Sequence, residues 1–267
     1  MRVVVTEGLC YVQTPETLER LAGDIQAEAP DLFIIAGNIG EPLDTFRETL
    51  SLFEGLPCPR ALVTGNRDVW HREEGPSSQQ LWEESLMIAI RAGGFVWLEQ
   101  ENLVLDGVGV CGTVAWYDYS GRDTKLGYTA EQYEQLKGLV SSDARHIDWP
   151  WSDRDFASYL HEGFASRIEA LERNRAVEHI LVITHIPVFK EAIMHIPDDI
   201  RWRFGAAYTF NLSLGRVIAP KTKVRHVVSG HTRLGGEWDL SFGNNTFKMR
   251  VIGRSEKDEP HYVTIEI

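Results

Sequence analysis

The sequence predicts an α/β fold, with strands buried on both faces of a sheet and helices packed over it. Two observations support this. Apolar runs that do not alternate with polar residues, such as Val3-Val4-Val5 and Leu32-Phe33-Ile34-Ile35-Ala36, recur between segments of helical spacing. At 267 residues the chain can also bury roughly three quarters of its unfolded surface, enough for a large core without staples.

The elements follow in order. Residues 2–6 form a β-branched strand, and 14–28 carry Leu18, Leu21 and Ile25 at helical spacing behind the start signal Thr14-Pro15-Glu16. Asp31 to Ala36 is a buried strand ending at Gly37, a helix covers about 42–55, and Arg60 to Thr64 is a third strand before another glycine turn. Residues 77–93 read as helix, then 95–99 and 102–112 as strands. An aromatic and polar insertion over about 114–152 lacks a core period, which fits a cap over a pocket or a surface excursion. A helix over 153–174 and strands at 179–184 and 224–229 follow, and the tail alternates in strands at 247–252 and 261–267. There are no repeats and no linker-like stretch, so the expectation is one domain over 1–267.

Composition narrows the function classes. With 43% hydrophobic and 25% charged residues the chain is neither disordered nor a membrane protein by composition. A net charge of -12 disfavours nucleic-acid binding, which draws on Lys and Arg, but leaves room for a local basic pocket. Cys10, Cys58 and Cys111 form no disulfide framework or zinc pattern. No apolar run is long enough for a signal-peptide core or a membrane span. The expectation is a soluble cytoplasmic protein.

Five loops carry the chemical information: Thr6-Glu7-Gly8-Leu9-Cys10, Gly37-Asn38, Gly65-Asn66-Arg67-Asp68, Thr184-His185 and Gly230-His231-Thr232-Arg233. Each follows an apolar strand, and in open α/β sheets such strand ends converge on one crevice. Their order resembles the calcineurin-like metallophosphoesterase superfamily, whose signature is Asp-x-His, Gly-Asp, Gly-Asn-His-Asp, a lone His and Gly-His-x-His. The resemblance spans most of the chain and implies a four-layer α-β-β-α sandwich of two mixed sheets. It also implies a site in which two divalent metals clamp a phosphate ester and supply a bound hydroxide.

The ligands that the resemblance requires are mostly replaced. Gly8 and Cys10 stand for the first Asp and His, Asn38 for the bridging Asp, Arg67 for the catalytic His and Arg233 for the last His. Asn66, His185 and His231 keep the family's identity, with Asp68 behind Arg67. Glycine has no donor, and arginine does not give up its proton to coordinate. The expectation is therefore no metal cofactor, or at most one weakly held divalent ion on Asn38, Asn66, His185 and His231. Arg67 and Arg233 supply positive charge in place of the metals, and their forks match phosphate or carboxylate oxygens. The implied partner is a small anionic molecule, held by Asn38, Asn66, Arg67 and Arg233 with Tyr117 closing over it.

Four residues are candidates for chemistry: Cys10, Arg67, His185 and His231. Cys10 beside two arginines reads either as a thiolate of lowered pKa or as a small thiol filling the space of an imidazole. Strand alternation turns Glu7 away from the crevice unless the turn twists it back, in which case it is a minor candidate for a stand-in carboxylate. Trp116, Tyr117, Asp118 and Tyr119 fit either a ligand lid or simple core, and Tyr208 and Asn211 are similarly open. His71, His146, His161, His179, His195, His226 and His261 lack ligand spacing and read as solvated or capping residues. Two further readings remain, a residual mononuclear phosphoesterase and a non-catalytic interaction protein.

Overall fold

The computed structural model describes residues 1–12, 14–193, 199–253 and 261–267. Its strands are β1 (Arg2–Thr6), β2 (Leu32–Ala36), β3 (Arg60–Val63), β4 (Val96–Trp97), β5 (Leu103–Leu105), β6 (Val108–Thr113), β7 (His179–Thr184), β8 (Val224–Ser229), β9 (Gly236–Phe242), β10 (Asn245–Val251) and β11 (Tyr262–Glu266). They form two mixed sheets, ordered β11-β1-β2-β3-β4 and β5-β6-β7-β8-β10-β9. Within them β1, β2 and β3 run parallel, as do β6, β7 and β8.

Alternation along each strand splits the core. Val3, Val5, Ile34 and Val63 of the first sheet join Val110, Ile183 and Val228 of the second in one apolar layer. The intervening residues Val4, Phe33, Ile35, Leu62 and Val182 belong to a second cluster built with the helices. Strands buried on both faces explain why their sequences are apolar without a period of two. The helices are α1 (Pro15–Ala27), α2 (Leu43–Ser51), α3 (Ser78–Gln80), α4 (Leu86–Ala92), α5 (Ala130–Leu136), α6 (Asp143–His146), α7 (Asp153–Arg173), α8 (Ile200–Gly205) and α9 (Leu212–Ile218). Among the described residues no helix is long and apolar enough to cross a membrane.

Several boundaries differ from the sequence reading for local reasons. The strand expected over 102–112 is a hairpin, because Asp106 and Gly107 both take positive φ, 47° and 81°, and turn β5 back onto β6. The helix expected over 77–93 is interrupted by a π turn at Leu81–Ser85 between α3 and α4. The tail gains β9, paired antiparallel with β10.

The 114–152 segment is anchored from within. Trp116, Tyr117 and Tyr119 are fully buried, so this aromatic cluster is core and not a ligand lid. Asp153, the first residue of α7, accepts from Trp116 Nε1 at 2.7 Å and from the Tyr119 hydroxyl, and pairs with Lys137 at 2.7 Å. His146 stacks on Trp70 with centroids 4.5 Å apart, and His71 lies 3.9 Å from Asp148. His195 lies outside the described residues.

Candidate functional site

The five motif loops follow strand ends, and backbone hydrogen bonds join the first loop to the second and the fourth to the fifth. Gly8 N donates to Gly37 O at 3.0 Å, Cys10 N to Asn38 O at 2.9 Å, and Gly230 N to His185 O at 3.0 Å. The approach is close enough to dictate glycine. A Cβ on Gly37, whose φ is 91°, would lie 2.5 Å from His185 Nδ1, and one on Gly65 would lie 2.3 Å from Asn38 N.

Asp68 locks the second and third loops. Its carboxylate accepts from Ile39 N at 2.7 Å, Gly40 N at 3.1 Å and Gly65 N at 2.7 Å. Burial pushes its pKa up to about 7 in spite of these three donors. Burial likewise pushes Glu99 up to about 8, against the pull of Arg167. Both carboxyls therefore keep protons in the folded chain that the unfolded chain releases near pH 4, so stability falls as pH rises through that window. Thermal melts should show Tm decreasing from pH 5 to 8, with a shallower slope in Glu99→Gln. A Tm that climbs across this interval contradicts the assignment.

His185 is fully buried and held from both ends. Its Nδ1 lies 2.8 Å from Ala36 O, and a carbonyl only accepts, so Nδ1 carries a proton. Its Nε2 faces Asn66 Oδ1 at 3.2 Å and His231 Nδ1 at 3.1 Å. The Asn66 amide is oriented by Nδ2, which donates to Asp143 Oδ1 at 2.8 Å. Asp143 also accepts from Trp70 Nε1 at 2.7 Å and the Tyr117 hydroxyl at 2.9 Å. Tyr117 is thus not a ligand contact but a buried support behind Asp143, because its hydroxyl is spent on that carboxylate.

Arg67 fills the middle of the cleft. Its guanidinium lies over the rings of Tyr11 (4.5 Å) and Trp70 (4.8 Å) and forks onto Glu41, with Nε donating at 3.0 Å. Arg72 reaches the same Glu41 oxygen at 3.2 Å. Two guanidiniums thus share the one Glu41 carboxylate. Burial penalises the Arg67 cation, but Glu41 more than offsets this and holds it above the usual arginine range. The Arg67 backbone N donates to Asn38 Oδ1 at 3.0 Å, and Asn38 Nδ2 donates to the Tyr11 hydroxyl at 3.3 Å. Arg233 is exposed at the rim, and no described residue forms an ion pair with it.

Of the two readings of Cys10, the protonated thiol is favoured, because burial raises its pKa well above the ordinary thiol value and outweighs the neighbouring Arg67. Glu7 does not turn away from the crevice. β1 ends at Thr6, the chain twists into a 3₁₀ turn at Leu9–Tyr11, and the buried Glu7 carboxylate accepts from His231 N at 3.3 Å. The cleft measures about 540 Å³ and brings Asn66, Arg67, His231 and Arg233 together with Tyr11, Trp70 and Asp143. Sequence reasoning missed Tyr11, Glu41, Trp70, Asp143 and Trp202, which carry no motif of their own.

The sequence profile of the calcineurin-like phosphoesterases matches residues 10–233. The chain belongs to the calcineurin-like phosphoesterase family. No curated protein sequence matches it. A phosphopantetheinyl hydrolase from Mycobacterium tuberculosis is similar in structure, with TM-score 0.70 and 15% identity over 98% of this chain and 95% of that one. A dimetal phosphatase from Danio rerio is similar with TM-score 0.54 and 11% identity, over 99% of this chain and 91% of that one. At these identities the likeness concerns the fold alone.

Within this calcineurin-like phosphoesterase frame the donor set does not fit a metal pair. Gly8 offers no donor, Arg233 no lone pair, and Cys10 holds its proton. Among the described residues no group of three His, Cys, Asp or Glu side chains is arranged to hold a metal ion. The retained donors Asn66, His185 and His231 include no carboxylate to offset a divalent charge, and the Asn38 oxygen accepts from Arg67 N.

Proposed function

We propose that this calcineurin-like phosphoesterase has lost two-metal phosphoester hydrolysis and uses its cleft to bind, or act on, a small anionic molecule bearing phosphate or carboxylate. The observation behind this reading is the Arg67 guanidinium, which in sequence takes the motif position of the family's catalytic histidine and which shares Glu41 with Arg72. An anion entering the cleft exchanges with Glu41 for one arginine fork and meets Arg233 at the rim. Asn66 and His231 supply further polar contacts at the base, with His185 behind them. Assays of bis(p-nitrophenyl) phosphate with added manganese are expected to stay at background. Robust turnover abolished by chelator contradicts the reading.

One observation favours a second reading, a residual mononuclear site. With Nδ1 of His185 bound to a carbonyl and the Asn66 amide nitrogen bound to Asp143, the two remaining acceptors face each other at 3.2 Å beside His231 Nδ1. His231 Nδ1 can donate to His185 Nε2, and the same three atoms, His185 Nε2, Asn66 Oδ1 and His231 Nδ1, also offer lone pairs to a single cation. Metal analysis of protein purified without chelator tests this reading. Stoichiometric zinc, iron or manganese supports the mononuclear site, and its absence contradicts it.

A further inference from the structure

A second cavity, of about 350 Å³, lies between the π turn at Leu81–Ser85 and the start of α7, and shares no lining residue with the Arg67 cleft. Phe156, nearly fully buried, lies at its base. Trp151 and Tyr159 flank Phe156 with centroids 5.7 and 6.3 Å from it and ring planes tilted by 18° and 24°, and Trp82 stands across it at 84°. Tyr159 is 60% exposed and Trp151 half-buried, so these two rings present the faces that a ligand can reach.

Two carboxylates stand at the same cavity. Glu83 and Asp155 are exposed, and no Lys, Arg or His among the described residues lines the cavity with them. Gln79 Nε2 donates to the two Glu83 oxygens at 3.2 and 3.1 Å, and the Ser152 hydroxyl donates to Asp155 Oδ2 at 2.7 Å. These partners are neutral, so each carboxylate is oriented without losing its charge. Arg154 and Arg167 of α7 are directed elsewhere, to Glu131 at 2.8 Å and to Gly112 O at 3.1 Å.

The π turn sets the phase of Trp82 and Glu83. Leu86 N donates to Leu81 O, five residues back, so the turn holds one extra residue and shifts both side chains by about 100° against α4. Helical regularity is given up at the residues that line the cavity.

Ring faces beside carboxylates attract a cation, and the rings select one with an apolar shell over a hydrated metal ion. We propose that this cavity binds a small organic cation with a quaternary ammonium head, Trp151 and Tyr159 meeting its methyl groups and Glu83 and Asp155 its charge. Its size, at the small end of ligand pockets, suits one such head. The net charge of -12 adds a general attraction for cations. The site is separate from the Arg67 cleft and does not depend on what that cleft binds.

The test is calorimetric titration of the full chain at low ionic strength with choline, with neohexyl alcohol, its uncharged isostere, and with acetylarginine amide. Choline should bind roughly 5- to 30-fold more tightly than the isostere, the range of one or two cation–π contacts. Tyr159→Leu and Trp151→Leu keep apolar bulk but remove a π face, and each should weaken choline binding roughly 3- to 10-fold. Glu83→Gln should weaken it roughly 2- to 5-fold, the scale of one exposed charge. Tyr159 and Glu83 are exposed, so their variants retain the fold. Equal binding of choline and the isostere, or wild-type choline affinity in all three variants, overturns the cation site. Acetylarginine amide binding more tightly than choline overturns the quaternary ammonium assignment and points to a side chain of a partner protein. If none of the three binds saturably, the site is overturned outright.

Discussion

Replacing Arg67 by alanine is expected to weaken inorganic phosphate binding roughly 10- to 100-fold, the scale of one charge-assisted contact. The companion change Glu41→Gln is expected to do the opposite. Glu41 is the internal anion on which Arg67 and Arg72 converge, and its side chain is only 6% exposed. An amide in its place cannot neutralise two guanidiniums, so an external anion gains access to a fork no longer occupied by a carboxylate. Arg67→Lys separates charge from geometry, since lysine keeps the charge but lacks the planar fork and should recover only part of the affinity. Titration calorimetry on the three variants decides the matter. Unchanged binding in Arg67→Ala, together with weaker binding in Glu41→Gln, would remove the arginine from any role in recognition.

The second large effect is on stability. Asp143→Ala removes the acceptor that Asn66 Nδ2 and Trp70 Nε1 share among the described residues, and also strips the Tyr117 hydroxyl of that carboxylate. Stranding buried donors in this way is expected to cost about 3–5 kcal/mol. For a chain of this size that corresponds to a Tm lower by about 10 °C. Asp143→Asn keeps one acceptor oxygen and should lose less. A thermal melt of Asp143→Ala within about 1 kcal/mol of wild type would show that the carboxylate is not what orders Asn66.

Much of the frame was legible because its residues are local. The strands at 2–6, 179–184 and 224–229 are rich in valine and isoleucine, and the loops that end them carry the motif residues directly. The family follows from the order of those loops, since strand ends in parallel sheets meet at one crevice. What was not legible depends on three-dimensional neighbours. Glu41 and Asp143 come from loop and insertion segments without periodicity, and only the fold brings them against Arg67 and Asn66. Charge counting left Cys10 open between thiolate and thiol, since the desolvation that exceeds the pull of Arg67 is a property of the fold. Alternation misplaced Glu7 because it holds only inside a strand, and β1 ends one residue earlier. The Asp106-Gly107 turn carries a recognisable hairpin signal that the long apolar run around it obscured.

Charge replacement is the physical core of this reading. In this reading arginines stand where the family motif has metal ligands, with Glu41, Asp143 and the buried Glu7 as the nearby carboxylates. The most direct measurement is titration of inorganic phosphate into protein dialysed against EDTA, repeated after adding manganese. Binding that persists without metal, is unchanged by manganese and is lost in Arg67→Ala combined with Arg233→Ala is the predicted result. Binding that appears only when manganese is restored would contradict it.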